Sequence, residues 1–174
     1  EKTLTLSLQL QSERDRNRKN IVHESTFPRC VHMQSSNGNS MSEAGQTIPQ
    51  LLKEDGTPYS AAVLIPTINN ADELDIVLER LSKQTYPHFE LVISDSKSKD
   101  HTKQVCEKYG ARWIEDPSRN RADACNFAFN QMDHDLVLFT DDDTIPPLDW
   151  VEKLIRWFKD PEVGAVGGPN FAPD

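Results

Sequence analysis

Hydrophobic positions follow two regimes along the 174-residue chain. From residue 61 onward, short unbroken apolar runs alternate with stretches in which apolar residues recur every three or four positions. Ala61–Pro66 (AAVLIP) is a continuous run with the length of a strand buried on both faces. Asn70 then predicts a helix N-cap, with Asp72 and Glu73 in the first turn, where the helix dipole favours negative charge. Leu74, Val77, Leu78 and Leu81 follow at helical spacing and form the face that covers a sheet. A second strand is predicted at Leu91–Ser94, followed by a helix capped by Asp100, lined inward by Val105, Cys106 and Tyr109, and stopped by Gly110. Ala111–Glu115 reads as a short strand, and Ala122–Met132 as a helix with Ala124, Phe127, Ala128 and Met132 inward. Leu136–Thr140 (LVLFT) is the next strand. Pro146–Pro147 opens a last helix with Val151, Leu154, Ile155 and Phe158 as its stripe, and Gly164–Gly168 begins a fifth strand. Strands alternating with helices in this way predict an α/β, Rossmann-like domain: a mainly parallel sheet, right-handed crossovers, helices on both faces.

The first 60 residues have a different texture. Gln11–Asn20 is almost wholly polar or charged, and Gln34–Gln50 is rich in Ser, Asn, Gly and Gln, a composition that cannot offset the entropy of ordering. Residues 1–60 are therefore expected to be mostly disordered or outside any domain, with the folded domain at 61–174. The one strand-like pattern in this stretch is the alternation of Leu4, Leu6, Leu8 and Leu10. The chain starts at Glu1, and Met33 and Met41 lie just ahead of the patterned part, as they would if residues 1–40 were an upstream extension. Nothing in it has the form of a secretory signal.

Charge sharpens this division. The net charge of −9 lies wholly in residues 61–174, which carry 12 basic and 21 acidic side chains, against seven of each in residues 1–60. An acidic domain is a poor partner for nucleic acid, whose phosphates need a basic face. No apolar run reaches the length of a membrane span, so membrane association is not indicated within these residues. Three scattered cysteines (Cys30, Cys106, Cys125) form neither a disulfide framework nor a zinc-ligand spacing, which points to a reducing, cytoplasmic setting, the cytoplasmic face of a membrane included.

In a doubly wound sheet, ligands bind at the carboxyl ends of the strands, so the residues just after each strand carry the chemistry. Here these are Pro66-Thr67-Ile68-Asn69, Asp95, and the triplet Asp141-Asp142-Asp143. Adjacent carboxylates repel, and a hard divalent cation such as Mg²⁺ or Mn²⁺ takes carboxylate oxygens together with water and substrate phosphates. Asp141 and Asp143, two apart on an extended segment, point the same way and can reach one ion or its hydrated shell. The bland alternative for the triplet is a solvated acidic turn.

Taken together, AAVLIPTINNADELDIVLERLSKQTYPHFELVISDSKSKDHT and FTDDDTIPPLDWVEKLI resemble the family 2 nucleotide-sugar glycosyltransferases, in the N-terminal nucleotide-binding half. The motifs are the strand ending in Ile-Pro-Thr, the Gln84-Thr85-Tyr86-Pro87 turn, Asp-Ser-x-Ser-x-Asp-x-Thr, the Asp-x-Asp segment with its following helix, and Gly164–Pro169. The resemblance covers about residues 61–170. It implies a glycosyltransferase A-type fold, here ending after the metal-binding segment, and metal-assisted, inverting transfer of a sugar from a nucleotide-diphosphate sugar to a glycan, lipid or protein acceptor. It implies that Pro66 and Thr67 line the base and ribose and that Asp95 hydrogen-bonds the base. Arg121 approaches the base or diphosphate, Asp141 the ribose or metal, Asp143 ligates Mg²⁺ or Mn²⁺, and Asp142 contributes beside them.

The pattern departs from that family at Ile68, where tyrosine is common, at Cys125, where arginine is common, and at Lys97 and His101, where glycines are common. No catalytic base is named: Glu162 and Asp174 are the only acids after Asp160, and neither lies in a base motif. One alternative is therefore a non-catalytic or truncated nucleotide-sugar-binding module without the acceptor half. Another is a haloacid dehalogenase-like phosphatase using Asp141 as nucleophile, which a trapped aspartyl-phosphate would reveal. The histidines show no metal-ligand spacing, Trp150 and Trp157 read as packing residues, and Cys106 reads as core.

Overall fold

The computed structural model describes residues 29–32, 49–118 and 120–168. The leucine alternation at Leu4–Leu10, the polar stretches before residue 49 and the residues after 168 lie outside this set. Six strands, four α-helices and one 3₁₀ turn are described, in two compact units.

The larger unit, residues 45–155, holds a four-stranded parallel sheet. Its strands are β2 (Ala61–Thr67), β3 (Glu90–Asp95), β4 (Arg112–Glu115) and β5 (Leu136–Phe139), in the order β4-β3-β2-β5. Helices α1 (Ala71–Ser82), α2 (Thr102–Lys108) and α3 (Arg121–Phe129) are the crossovers. The first two crossovers step one way along the sheet and the third steps back past β2, so right-handed connections place α1 and α2 on one face and α3 on the other. The fold class expected from the alternation is the one observed. All seven residues of β2 are buried, as a central strand covered on both faces requires. The α1 stripe of Leu74, Val77, Leu78 and Leu81 is at most 1% exposed.

Several local expectations are revised. Asn70 occupies the N-cap of α1 but makes no side-chain cap. The Ala71 amide is satisfied instead by Asp100 Oδ2 at 3.0 Å, while Asp100 Oδ1 takes the amide and hydroxyl of Thr102. One carboxylate thus serves the starts of two helices. On α3 the inward residues are Ala124, Ala128 and Phe129, and Phe127 is 36% exposed. The last helix, α4, is short (Trp150–Ile155) and tightens into a 3₁₀ turn at Arg156–Lys159, with Val151 and Ile155 buried and Leu154 only partly so. Residues 49–60, read above as preceding the domain, fold with the sheet: Leu51 is buried, and Asp135 accepts from Lys53 and from the amide and hydroxyl of Ser60.

The smaller unit contains β1 (Arg29–His32) and β6 (Val163–Gly167), which pair in parallel with a register shift after Arg29. Glycine-rich β6, expected as a fifth strand, therefore forms a two-stranded sheet with β1. No helix among the described residues is long and apolar enough to cross a membrane.

The turn at Gln84–Pro87 acts as a fastener. Gln84 donates to the Pro147 carbonyl at 2.7 Å and accepts from the Val151 amide at 3.0 Å. Thr85 donates its amide to the Leu148 carbonyl and its hydroxyl to Glu152. These bonds hold the segment that follows the three aspartates.

Candidate functional site

The sheet order reverses between β2 and β5, and a cavity of about 280 Å³ opens at their carboxyl ends. A proline helps to open it. β2 and β5 pair only as far as Leu64 and Phe139, with a last bond from the Thr140 amide to the Leu64 carbonyl. Backbone polar groups alternate sides along a strand, so the nitrogen of Pro66 faces β5 as Leu64 does. It has no proton to give, and that ladder stops there. On the other side β2 stays paired with β3 to Thr67 and Asp95, and Ser96 donates its amide to the Thr67 carbonyl.

The crevice is lined by Pro66 and Thr67 at the end of β2 and Ile68 just after it, by Asn120, Arg121 and Ala124 of α3 and its cap, by Asp141, Asp142 and Asp143 after β5, and by Ser96. It thus brings together every sequence-predicted site residue except Asp95. Asp141 pairs with the guanidinium of Arg121. Burial pushes the Asp141 carboxyl above its ordinary range; Arg121 pulls against that shift, and Asp143 and Asp142 add to it. Thr67 donates its hydroxyl to Asp142 at 2.6 Å, and Asp143 is exposed. Asn120 caps α3 by accepting from the Asp123 amide, which fixes where Arg121 starts. Cys125 lies in the same neighbourhood, its thiol pushed up by burial against the pull of Arg121, and so is a poor nucleophile at neutral pH.

Asp95 is placed differently from its expected role. It is 2% exposed; Oδ1 accepts from the amide and hydroxyl of Ser98, and Oδ2 from the Trp113 indole at 2.9 Å. Ser98 also accepts the Asn69 amide, and Asn69 accepts the Lys99 amide. Asn69 and Lys97 have left-handed backbones, which asparagine tolerates better than most residues. Through Oδ1 and Ser98, Asp95 therefore ties together the two loops that rim β2 and β3, while its Oδ2 is held by Trp113 on β4.

Three residues at the site were not singled out from the sequence. Ser96 and Asn120 line the crevice, and Asp116 lies behind Ser96, wholly buried at the end of β4. Ser96 donates to Asp116 Oδ2 at 3.0 Å, and Ser118 donates both its amide and its hydroxyl to the same carboxylate. The signal available in the sequence was positional: each follows a strand end or precedes a helix.

The donor set suits a hard divalent cation. Among the described residues, no three His, Cys, Asp or Glu side chains converge on one point. Three carboxylates and a single guanidinium line the crevice, which nevertheless leaves negative charge to be balanced, and an ion of this type needs only one or two carboxylates when phosphates and water fill the other positions. Asp141 and Asp143 are the residues that would hold it.

Residues 62–173 match the sequence model for Glycosyl transferase family 2. Among curated proteins, the chain is 28% identical over 115 residues to glycosyltransferase AglE of Haloferax volcanii, covering 62% of this chain and 38% of that protein. It is 31% identical over 131 residues to the O-antigen biosynthesis protein RfbC of Myxococcus xanthus, covering 68% of this chain and 10% of that one. Among solved structures, the mannosyltransferase PcManGT from Pyrobaculum calidifontis, in complex with GDP-Man and Mn²⁺, superposes with a TM-score of 0.55 at 25% identity, over 66% of this chain and 36% of that one. Residues 1–349 of TarS from Staphylococcus aureus give 0.52 at 29% identity, over 59% and 32%. These neighbours are glycosyltransferases of the A-type fold. The chain spans well under half the length of each of these relatives.

Proposed function

The chain belongs to glycosyl transferase family 2, and from that membership we propose that its crevice binds a nucleotide-diphosphate sugar together with Mg²⁺ or Mn²⁺, as the donor site of a sugar-transfer enzyme. The carrying observation is the convergence of Pro66, Thr67, Arg121 and Asp141–Asp143 on one cavity at the point where the strand order reverses. In this reading Pro66 and Thr67 flank the nucleoside, and Arg121 adds positive charge beside the diphosphate. Asp141 and Asp143 hold the cation, and Asp142, anchored by Thr67, fixes the turn between them. A cation bound there supplies positive charge against the charge that grows on a departing nucleoside diphosphate. PcManGT, with its GDP-Man and Mn²⁺, supports both the donor class and the use of metal. The free, scattered thiols Cys106 and Cys125 support a cytoplasmic setting.

The test is calorimetric titration of the protein with UDP and with GDP, in Mn²⁺, in Mg²⁺ and in excess chelator. One of the nucleotides should bind, and chelator should weaken it by at least tenfold. Asp143→Ala should remove the metal-dependent part while the melting temperature stays within a degree or two, because an exposed loop carboxylate contributes little packing. Binding that ignores both chelator and Asp143→Ala would overturn the proposal.

A further inference from the structure

The three aspartates of the crevice are less available to a cation than their number suggests. The Asp142 carboxylate takes the Thr67 hydroxyl, and Asp141 Oδ1 is engaged by the Arg121 guanidinium. Asp143 alone stands open: it is exposed, and none of the described residues holds it. One carboxylate is a thin site for a hard divalent cation. Asp141 becomes fully available as a second only when Arg121 leaves it, because a guanidinium and a cation on one carboxylate lie a few ångströms apart and repel. Arg121 is free to leave. The Asn120 cap fixes its backbone at the first turn of α3, but its side chain is 54% exposed and that of Asp141 39%, so water screens the pair.

A phosphate offers a guanidinium two oxygens in the planar fork geometry that suits it, and Arg121 lines the same crevice as the aspartates. A diphosphate there gives Arg121 another partner and returns Asp141 to the cation. We infer that Arg121 competes with the cation for Asp141 and yields that carboxylate when a diphosphate arrives, so that cation and nucleotide each bind weakly alone and strengthen one another. Such coupling is reciprocal: each ligand improves the other's affinity by the same factor. The arginine then acts in two opposed senses, against the cation before the nucleotide binds and for the nucleotide afterwards. A purely attractive role beside the diphosphate predicts only the second.

This inference rests on the donor-site reading, and one set of titrations separates the two. Mn²⁺ binding is followed through the electron paramagnetic resonance signal of the free ion, first without nucleotide and then with saturating UDP or GDP, whichever binds. Arg121→Gln, its fold checked by melting, should bind Mn²⁺ alone about fivefold more tightly than wild type, the upper range for releasing a carboxylate from an exposed ion pair. The same variant should bind the nucleotide in Mn²⁺ several-fold more weakly. The gain in Mn²⁺ affinity that nucleotide brings should shrink by about fivefold, since the cation no longer has to wait for Asp141. Lys97→Gln removes an equal charge from the exposed residue beside Ser96, outside the aspartate pair, and screening should hold its Mn²⁺ affinity within about twofold of wild type. If neither nucleotide binds in Mn²⁺, the donor-site reading falls and this inference with it. If a nucleotide binds but Arg121→Gln gains no affinity for Mn²⁺ alone, or if Lys97→Gln gains as much, the donor site stands and the competition for Asp141 is overturned.

Discussion

The two ends of the parallel sheet differ in a way that cavity size does not predict. At the amino ends of β2 and β3 lies a cleft of about 680 Å³, bordered by Ala61, Leu81, Phe89, Leu91, Tyr109 and His134. At the carboxyl ends the cavity is less than half as large, yet it gathers three aspartates, an arginine and two hydroxyls with committed protons. The difference follows from strand direction: helices leave the sheet at its carboxyl ends, and there short loops carry polar residues that the sheet itself cannot hold. The amino end is where the chain is tied down, by Tyr86, Gln84 and Asp135. Substitutions at that end should therefore move stability, and those at the other end affinity.

The largest effect is expected at Tyr86, which is 2% exposed and accepts the Leu51 amide on its hydroxyl at 3.3 Å. Tyr86→Ala should cost about 4 kcal/mol, the range for deleting a buried aromatic ring, read as a shift in urea midpoint. Nucleotide affinity of the fraction that remains folded should not change. A variant that melts normally but no longer binds would reverse the roles assigned to the two ends.

Gln84 tests the boundary between them. It is 8% exposed, and both of its side-chain hydrogen bonds go to the segment after the aspartates, so Gln84→Ala leaves the Val151 amide unpaired and takes from the Pro147 carbonyl one of its two donors, the other being the Trp150 amide. A loss of about 2 kcal/mol is expected, together with a few-fold weaker metal-dependent nucleotide binding as the turn loosens. Stability lost with affinity fully kept would show that the aspartates are positioned from β5 alone.

Asp100 sharpens the comparison from the carboxyl end, where it stabilises without lining the crevice. Partial burial opposes its ionisation, but bonds from the Thr102 hydroxyl and from the Ala71 and Thr102 amides prevail, and its carboxyl is held below the ordinary value. A depressed carboxyl contributes stability that is complete above its unfolded pKa, about 3.9, and is lost as pH falls through the folded one. Asp100→Asn should therefore cost about 1 kcal/mol at pH 7, as a lost cap does, and progressively less below about pH 4. A difference that is constant from pH 7 to pH 3 would mean that the carboxylate's charge is not what caps these helices.

Much of this was legible because the code involved is local. Continuous apolar runs announced β2 and β5, and the strand-end rule found Pro66, Thr67 and the aspartate triplet with no view of the fold. What escaped depends on neighbours distant in sequence. Asp95 does not line the crevice, and its carboxylate takes an indole N–H from Trp113, on the adjacent strand. Ser96 gains its polarity from Asp116, twenty residues away, and a serine after a strand carries no mark of that. The direction of Phe127 was open because α3 carries apolar residues around much of its circumference, so periodicity could not choose between Phe127 and Phe129. β6 was legible as a strand, but its partner, Arg29–His32, lies more than 130 residues back in a stretch whose composition suggested no element.

The smallest expected effect is the sharpest test of strand direction over cavity size. His134 lies in the larger cleft with the features that usually attract a functional reading: its Nε2 is 3.0 Å from a Glu90 carboxylate oxygen, and its Nδ1 is buried without a hydrogen-bond partner among the described residues. It nevertheless precedes β5, at the end of the sheet away from the aspartates. His134→Ala removes one partly exposed contact with the Glu90 carboxylate, so stability should change by less than about 1 kcal/mol. The affinity for UDP or GDP in Mn²⁺ should stay within twofold of wild type, measured in the same titration that Asp143→Ala fails. If His134→Ala instead weakened the nucleotide as much as Asp143→Ala, the cleft at the amino ends would hold the ligand, and the position of the carboxylates would have misled.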